Sequence, residues 1–340
     1  MLKNVNAGTA VHAQRKMLNA TDTALIVNPN SCSGLTGKNW DDLFSRIKDI
    51  FGGSVKVAFS KEQGHGTALA RDFLRQGYRK VVALGGDGTI NEVANGFFEE
   101  NPGIRRFHSL ALKRINPDAI MGIVPCGTRN VLSKSLGLPA DVVECCQNFV
   151  GGSPAKIDVI VVSATDPEYG TRLPPRIFLN AAEMGVAAEI IDRSKKVRGK
   201  VKNRLVSTMA AIVTTVPAYQ SNLCEFFIDG RKKSTSMTMG VVANGRFLGG
   251  GFMAARDADV SDGLLDLVVL KDSGSFKMLD EMINMKAGDY SGEDNILYAK
   301  AKKVLIRSKE RKVTITIDGE PIGILPATFQ IFPRQLTVMM

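Results

Sequence analysis

A glycine-rich segment, Leu84–Thr89, follows a short apolar run and precedes a stretch with helical periodicity. Its three glycines let the backbone turn sharply and approach a ligand closely, and the first N–H groups of the next helix would face a phosphate. Asp87 could act through Mg²⁺ or on a nucleotide hydroxyl, and Thr89 could cap the helix or bind phosphate. A tight turn with a capping threonine explains the same residues. The spacing matches neither the GxGxxG dinucleotide motif nor the Walker loop.

Further polar segments stand where strands are predicted to end. Asn28–Gly34 and Pro125–Asn130 each follow an apolar run, and Asp318–Glu320 lies near the C-terminus. An Asp-Gly pair is the commonest signal of a two-residue hairpin, so Asp318 and Asp262, each followed by glycine, have a purely structural explanation. A carboxylate at such a turn could instead accept a proton from a substrate hydroxyl. Residue type alone favours the hairpin for Asp318 and leaves Asp262 undecided.

Strand and helix patterns alternate through the first half of the chain. Apolar runs predict short strands, and apolar residues at helical spacing predict helices between them. The strands are predicted at Ala24–Val27, Val55–Phe59, Val81–Leu84 and Ile120–Val124, and the helices at Trp40–Phe51, Thr67–Arg75, Thr89–Phe98 and Asp141–Val150. This βαβ rhythm predicts a parallel sheet with helices on its faces. Glu99–Asp118 interrupts the rhythm as a surface excursion to which the sequence assigns no role.

The second half of the chain is β-rich, with turn residues between the segments, and this predicts an antiparallel sandwich. The segments are Ile157–Val162, Ile177–Ala181, Leu223–Ile228, Met237–Ala243, Leu264–Leu270, Val304–Ile306 and Val313–Ile317. A long, basic helical piece at Ala187–Val213 interrupts them, and Gly151-Gly152 marks the boundary between the two halves.

Composition narrows the class of protein. A chain of 340 residues with 44% hydrophobic content is too long for one core and fits two domains. Five cysteines without CxxC spacing make a zinc site unexpected and fit a reducing cytoplasm.

We expect no signal peptide and no membrane helix, because no apolar run has the required length. A net charge of +10 favours a nucleotide or an anionic membrane as partner, while 6% aromatic content without a stacking motif argues against nucleic acid.

Five segments, in this order, resemble the motifs of the diacylglycerol kinase catalytic superfamily, which includes bacterial diacylglycerol kinases and sphingosine kinases. They are Asn28–Gly34, Gly85–Glu92, Gly122–Asn130, Gly249–Asp266 and Asp318–Glu320. Gly-Gly-Asp-Gly-Thr is also found in NAD kinases, whereas the five segments in register are specific. The chain departs from the family pattern at Val131, where aspartate often stands. Arg129 occupies a variable position and could reach a phosphate.

The resemblance implies a fold of the α/β + β class. A Rossmann-like, three-layer α/β nucleotide-binding domain is expected at residues 20–152, with residues 325–340 returning to it. An antiparallel β-sandwich domain for a lipid substrate is expected at residues 153–324, and the cleft is expected between the two domains.

The resemblance also implies roles for individual residues. Asp318 matches the proposed general base, with Glu320 beside it, and the chemistry agrees because a lipid hydroxyl is a poor nucleophile until a carboxylate accepts its proton. Asp259, Asp262 and Leu264 match a structural Mg²⁺ site. ATP is the expected co-substrate and Mg²⁺ the expected metal. The nucleotide-binding positions are Asn28, Ser31, Gly85, Gly86, Asp87, Gly88, Thr89, Asn91, Glu92, Gly127, Thr128 and Asn130.

The function implied is an ATP-dependent lipid kinase that phosphorylates a primary hydroxyl of diacylglycerol or a similar lipid, such as a sphingoid base, ceramide or glycerol ether. An NAD kinase and a non-catalytic nucleotide- or lipid-binding regulator are the alternatives, and the intact motifs count against both. The sequence identifies neither the lipid nor the preferred nucleotide donor. Members of the family often dimerise, so a homodimer is one expected assembly.

The basic run Arg193–Arg204 carries seven Lys or Arg residues and no acid. A solvated helix face explains such a run. Electrostatic docking to anionic lipid, at about 1 kcal/mol per basic residue near the surface, explains it equally well. We therefore expect a cytoplasmic protein that makes a peripheral contact with the inner face of the membrane.

Overall fold

The structure is a computed structural model, and it describes part of the chain. The described residues are 22–52, 55–100, 112–198, 204–249, 251–272 and 294–340, with isolated positions between 273 and 293. Residues 1–20, most of the excursion at Glu99–Asp118 and the centre of the basic run at 199–203 lie outside the described residues. Within those ranges, no helix is long and apolar enough to cross a membrane.

The N-terminal half alternates strands and helices and forms a parallel sheet in the order β2-β1-β3-β4. Its elements are β1 Thr23–Val27, α1 Leu35–Lys38, α2 Trp40–Ile47, β2 Lys56–Phe59, α3 His65–Arg75, β3 Lys80–Gly85, α4 Asp87–Gly96, β4 Ile120–Pro125, α5 Val131–Ser135 and α6 Val142–Gly151. The helix predicted at Trp40–Phe51 is shorter, and α1 precedes it. The two helices are separate because Asn39, with φ −103° and ψ 18°, leaves the helical conformation.

Helices cover both faces of the parallel sheet. Ala24 and Ile26 of β1 pack into a core with α3 and α4, whereas Leu25 and Val27 pack into a second core with α2 and α6. This alternation follows from the two-residue period of a strand, and burial on both faces is usual for a parallel sheet. The result is a helix–sheet–helix arrangement in three layers.

The C-terminal half is mainly antiparallel. The basic segment predicted as one helical piece at Ala187–Val213 contains two helices. Its elements are β5 Pro154–Thr165, β6 Arg176–Phe178, β7 Ala181–Gly185, α7 Val186–Arg198, α8 Arg204–Thr215, β8 Asn222–Ile228, β9 Arg231–Ala243, β10 Leu265–Lys271, β11 Ile296–Ala301, β12 Lys303–Ser308, β13 Thr314–Ile317 and β14 Glu320–Met339. Because β9 pairs with both β7 and β8, and β14 with both β12 and β13, the strands enclose one apolar core. Phe178, Phe226 and Phe329 are fully buried there.

The strand β14 joins the two halves. It is 20 residues long, and its first residues pair with β13 in a tight hairpin. Near its other end, Val338 pairs in parallel with Met121 of β4. The hairpin at the start of β14 is therefore anchored, through one strand, to the edge of the N-terminal sheet.

Candidate functional site

The carboxyl ends of β1 and β3 meet where the strand order of the parallel sheet reverses. Ligands bind at such switch points because the loops on either side diverge and leave a crevice. Asn28 follows β1, and its backbone N–H donates to the Leu84 carbonyl at 3.0 Å. Asn28 Nδ2 donates to Thr89 Oγ1 at 2.9 Å. These bonds hold the first loop against the glycine loop at the crevice.

The glycine loop leads directly from β3 into α4, with Gly86 as the N-cap residue. A Cβ on Gly85 would lie 2.6 Å from Thr89 Oγ1, so the turn requires glycine there. A Cβ on Gly127 would lie 2.6 Å from the Gly86 Cα, so this glycine lets the loop after β4 touch the glycine loop. Asp87 lies in the first turn of α4, whose N–H groups have no partner within the helix and favour an anion.

A cavity of about 400 Å³, here termed the loop cavity, opens between these loops. Most of the predicted nucleotide-binding residues line it: Asn28, Ser31, Gly86, Asp87, Gly88, Thr89, Glu92, Gly127 and Thr128. Asp318 and Glu320, from the hairpin between β13 and β14, line the same cavity. The fold thus brings residues of the first and the last of the five motifs, Asn28–Gly34 and Asp318–Glu320, into one site.

Gly85, Asn91 and Asn130 do not line the loop cavity. Asn91 is buried in α4, where its carbonyl and Oδ1 accept hydrogen bonds of 2.8 and 2.9 Å from Asn95 Nδ2. Asn130 Oδ1 accepts a bond of 3.0 Å from the Gly127 N–H and so shapes the turn after β4. The geometry gives these residues supporting positions behind the cavity wall.

Ser31 and Glu92 line the loop cavity but already have partners in the protein. Ser31 Oγ lies 2.8 Å from the Asn28 carbonyl and 2.7 Å from Thr36 Oγ1. Glu92 accepts hydrogen bonds from the N–H groups of Gly64 and Gly66, at 2.7 and 2.9 Å, at the start of α3. A carboxylate at that position satisfies helix donors and suits the helix dipole, so Glu92 fixes α3 against α4.

Asp318 and Gly319 are the two central residues of the hairpin between β13 and β14. Ile317 pairs with Glu320 across the turn, and Asp318 and Gly319 have φ of 51° and 83°. Positive φ at both central positions is what a two-residue hairpin of this hand requires, and Asp tolerates it. Asp318 and Gly319 therefore form the two-residue hairpin that the Asp-Gly pair predicted. The same turn places Asp318 at the lining of the loop cavity.

The pKa of Asp318 is raised well above its ordinary value. Burial is the largest cause, and the neighbouring carboxylates of Asp87, Glu183 and Glu320 raise it further. The guanidinium of Arg129 acts in the opposite direction. Asp318 is thus a carboxylate with an increased affinity for a proton, at the wall of a cavity.

The loop after β2 was missed by the sequence analysis as part of the site. Ser60, Lys61, Glu62 and Gln63 all line the loop cavity. They reach it because β2 is parallel to β1 and adjacent to it, which places its carboxyl end at the same edge of the sheet. The predicted parallel sheet indicated that loops after strands share one edge. It did not give the strand order, so it could not show that the loop after β2 lies beside the loop after β1.

The residues predicted to hold a structural Mg²⁺ lie together in the turn before β10, away from the loop cavity. Asp262 Oδ1 accepts a hydrogen bond of 2.9 Å from the Leu264 N–H, and Asp259 Oδ1 accepts one of 2.9 Å from the Ser261 N–H. The other oxygen of Asp262 lies 2.8 Å from Lys300 Nζ. Lys300 therefore already supplies a positive charge beside the Asp262 carboxylate.

Lys300 completes a small polar cluster with this turn. Its Nζ also donates to the Asp257 carbonyl at 2.9 Å and lies 3.3 Å from Oδ2 of the fully buried Asp266. In the part of the chain described, no three His, Cys, Asp or Glu side chains are grouped to hold a metal. Lys300 lies where a cation beside Asp262 would be, and the structural Mg²⁺ site at Asp259, Asp262 and Leu264 stays a prediction.

A second cavity, of about 660 Å³ and here termed the helix cavity, lies between α7 and the hairpin of β13 and β14. Its apolar wall includes Leu173, Ile191, Ile322 and Ile324. The helix α7 adds both signs of charge to the lining, from Glu189, Asp192, Arg193 and Lys196, and Lys196 pairs with Asp192 at 2.6 Å. Gly319 also borders it, whereas the adjacent Asp318 borders the loop cavity. The hairpin turn is therefore the partition between the two cavities.

Two family descriptions match the chain. Residues 22–162 match the diacylglycerol kinase catalytic domain, and residues 180–340 match the YegS C-terminal NAD kinase beta sandwich-like domain. The diacylglycerol kinase of Bacillus subtilis is 24% identical over 93% of this chain and 95% of its own, and that of Staphylococcus carnosus is 24% identical over 92% and 93%. A crystal structure of a diacylglycerol kinase from Bacillus anthracis shares the fold, with a TM-score of 0.67 and 21% identity over 94% of this chain and 96% of that one.

Proposed function

Because this chain belongs to the diacylglycerol kinase catalytic-domain superfamily, we propose that it transfers the γ-phosphate of ATP to a primary hydroxyl of diacylglycerol or a similar lipid. The observation that carries the proposal is the partition between the two cavities. Asp318 faces the loop cavity, and Gly319 borders the helix cavity. A carboxylate in this position can meet a phosphate donor from one side and a hydroxyl acceptor from the other.

In the proposed reaction, the lipid hydroxyl oxygen forms a bond to the γ-phosphorus, and the bond from that phosphorus to the bridging oxygen of ADP breaks. Asp318 accepts the hydroxyl proton as the new bond forms. The raised pKa supports this role, because a carboxylate with higher proton affinity is a stronger base. ADP leaves with the electron pair of the broken bond, and the products are ADP and a lipid phosphate.

The glycine loop and the start of α4 suit the phosphates of the donor. Their backbone N–H groups lie at the end of the helix that favours negative charge, and the glycines permit close approach. Mg²⁺, when bound with ATP, supplies neutralisation of the phosphate charge. Asp87 is the carboxylate in that wall that would hold it, together with the phosphate oxygens, since Mg²⁺ usually combines one or two carboxylates with substrate phosphates.

The helix cavity suits the lipid. Its apolar wall can cover hydrocarbon, and its border at Gly319 would bring the lipid hydroxyl to the hairpin turn. Arg193 and Lys196 are exposed on α7 at the same cavity, within the basic run. We include in the proposal that the basic run Arg193–Arg204 contacts an anionic membrane on its cytoplasmic side, from which the lipid enters.

Phosphate transfer from γ-labelled ATP tests the proposal. The full chain is incubated with Mg²⁺ and mixed micelles that hold diacylglycerol, a sphingoid base, ceramide or a glycerol ether, with NAD in a parallel reaction. Label on one lipid is the expected result, and it names the substrate. Label on NAD alone would replace the lipid kinase with an NAD kinase. No label on any acceptor, with ATP still bound, would favour a regulator that binds nucleotide without turnover.

A further inference from the structure

Arg129 extends from the loop after β4 across the site to the C-terminal half. A Cβ built on Gly249 would lie 2.9 Å from Arg129 Nη1, and one built on Gly319 would lie 2.8 Å from Nη2. The guanidinium thus lies against the backbone of two glycines that come from different segments. A side chain at Gly249 would occupy part of the space that the guanidinium fills.

The guanidinium lacks a hydrogen bond and a salt bridge among the residues described, yet it faces the loop cavity. It interacts electrostatically with the carboxylates of Asp87 and Asp318. Lys61 is the other cation in the described lining of this cavity. Arginine keeps its charge at all accessible pH values and carries five N–H donors in a planar fork that matches phosphate oxygens.

We propose that Arg129 binds the oxygens of the phosphoryl group under transfer and holds that group beside Asp318. This inference rests on the proposed kinase function. Asp87, Asp318 and Glu320 would repel the phosphoryl oxygens, and a fixed cation in the wall of the same cavity offsets this repulsion where charge shifts during transfer. Gly249 supports this position of Arg129, because the absence of a side chain at Gly249 leaves room for the guanidinium.

The first test compares Arg129→Met with Arg129→Lys and with Arg46→Met, an exposed arginine on α2. We expect Arg129→Met to lower kcat by about 10²- to 10³-fold, the usual loss for one transition-state donor. Arg129→Lys should recover part of the rate because it restores the charge without the fork. Calorimetry with two nucleotides, ADP and β,γ-imido-ATP, should show weaker binding of β,γ-imido-ATP and unchanged binding of ADP in Arg129→Met.

The second test leaves every charged group in place. Gly249→Ala puts a methyl group against the guanidinium, whereas Gly151→Ala puts one into open space and serves as its control. We expect Gly249→Ala to reproduce the selective loss for β,γ-imido-ATP, and Gly151→Ala to behave as wild type. Equal weakening of both nucleotides in Arg129→Met, or an unchanged kcat, would overturn the proposal.

The binding measurement separates this inference from the proposed function. If the wild type phosphorylates no lipid and Arg129→Met still selectively weakens β,γ-imido-ATP, the kinase function fails and the phosphate contact stands. If the wild type is active and the variant matches it in rate and binding, the kinase function stands and the role of Arg129 is refuted.

Discussion

Gln63 Nε2 donates a hydrogen bond of 2.9 Å to Glu320 Oε2, and this bond links the loop after β2 to the start of β14. The same glutamate lies over the glycine loop, since a Cβ on Gly88 would be 3.3 Å from Glu320 Oε1. Three segments that are distant in sequence therefore meet at one carboxylate. Both residues line the loop cavity, so the bond forms part of its wall.

Gln63→Ala should lower kcat/KM by about tenfold, roughly 1.4 kcal/mol of transition-state stabilisation, because this bond orients Glu320 at the loop cavity. The midpoint of thermal unfolding should not change, since water can replace the lost partner. The measurement is phosphate transfer beside a thermal melt, with Gln76→Ala at the exposed end of α3 as control. A fall in the melting temperature without a kinetic effect would assign the bond to folding alone.

Asp318→Asn should lower kcat by about 10²- to 10⁴-fold, the usual contribution of a general base. Asn tolerates positive φ as Asp does, so the hairpin should persist. Asp229→Asn is a matched control, because Asp229 and Gly230 form a second two-residue Asp-Gly hairpin with positive φ, between β8 and β9. Equal losses in the two variants would show that turn geometry, and not the base, limits the rate.

The rate should rise with pH through the raised pKa of Asp318, because only the ionised carboxylate accepts a proton. The acid limb of kcat/KM should therefore lie well above the ordinary aspartate value of 3.8. Glu183→Gln removes one of the charges that raise this pKa and should move the limb to lower pH. A limb near pH 3.8 in both proteins would exclude Asp318 as the titrating base.

Asp318 should also make the protein less stable as pH rises from 3.8 to its own raised pKa. In that window the folded protein keeps a proton that the unfolded chain releases, so the free energy of unfolding falls with increasing pH. Asp318→Asn removes this effect and should be more stable than wild type at neutral pH, with no difference below pH 3.8. Urea unfolding at several pH values measures it, and a constant difference across pH would contradict it.

Lys300 should make the turn before β10 independent of divalent metal. A chelator should leave the unfolding midpoint of the wild type unchanged, because Lys300 Nζ already pairs with Asp262 and Asp266. Lys300→Met should lower stability by about 2–3 kcal/mol, less than the full cost of a broken buried pair because Lys300 is partly exposed. Added Mg²⁺ should restore part of this loss.

Lys302→Met, at an exposed lysine on the same segment, is the control for that measurement. A wild-type protein that loses stability with the chelator would instead support the predicted Mg²⁺ site at Asp259, Asp262 and Leu264.

The sequence determined the elements and the chemistry that each can carry. Apolar runs and helical spacing located β1, β3, β4 and α4, because strand and helix periods are local properties. Gly86 and Gly127 were predictable for the same reason, since sharp turns restrict residue type. The Asp-Gly pair at Asp318 was predicted both as a hairpin and as a base. The hairpin is observed, and the role as base stays a prediction.

Tertiary structure decided which of these segments meet. Asp318 reaches the loop cavity because β14 pairs with β13 at one end and with β4 at the other, and pairing between distant strands has no local signal. The same holds for Gln63 in the wall of the loop cavity, for the space that Gly249 leaves beside Arg129, and for Lys300 at the predicted metal site. Each of these contacts depends on strand order and register, which are fixed by packing of the whole chain.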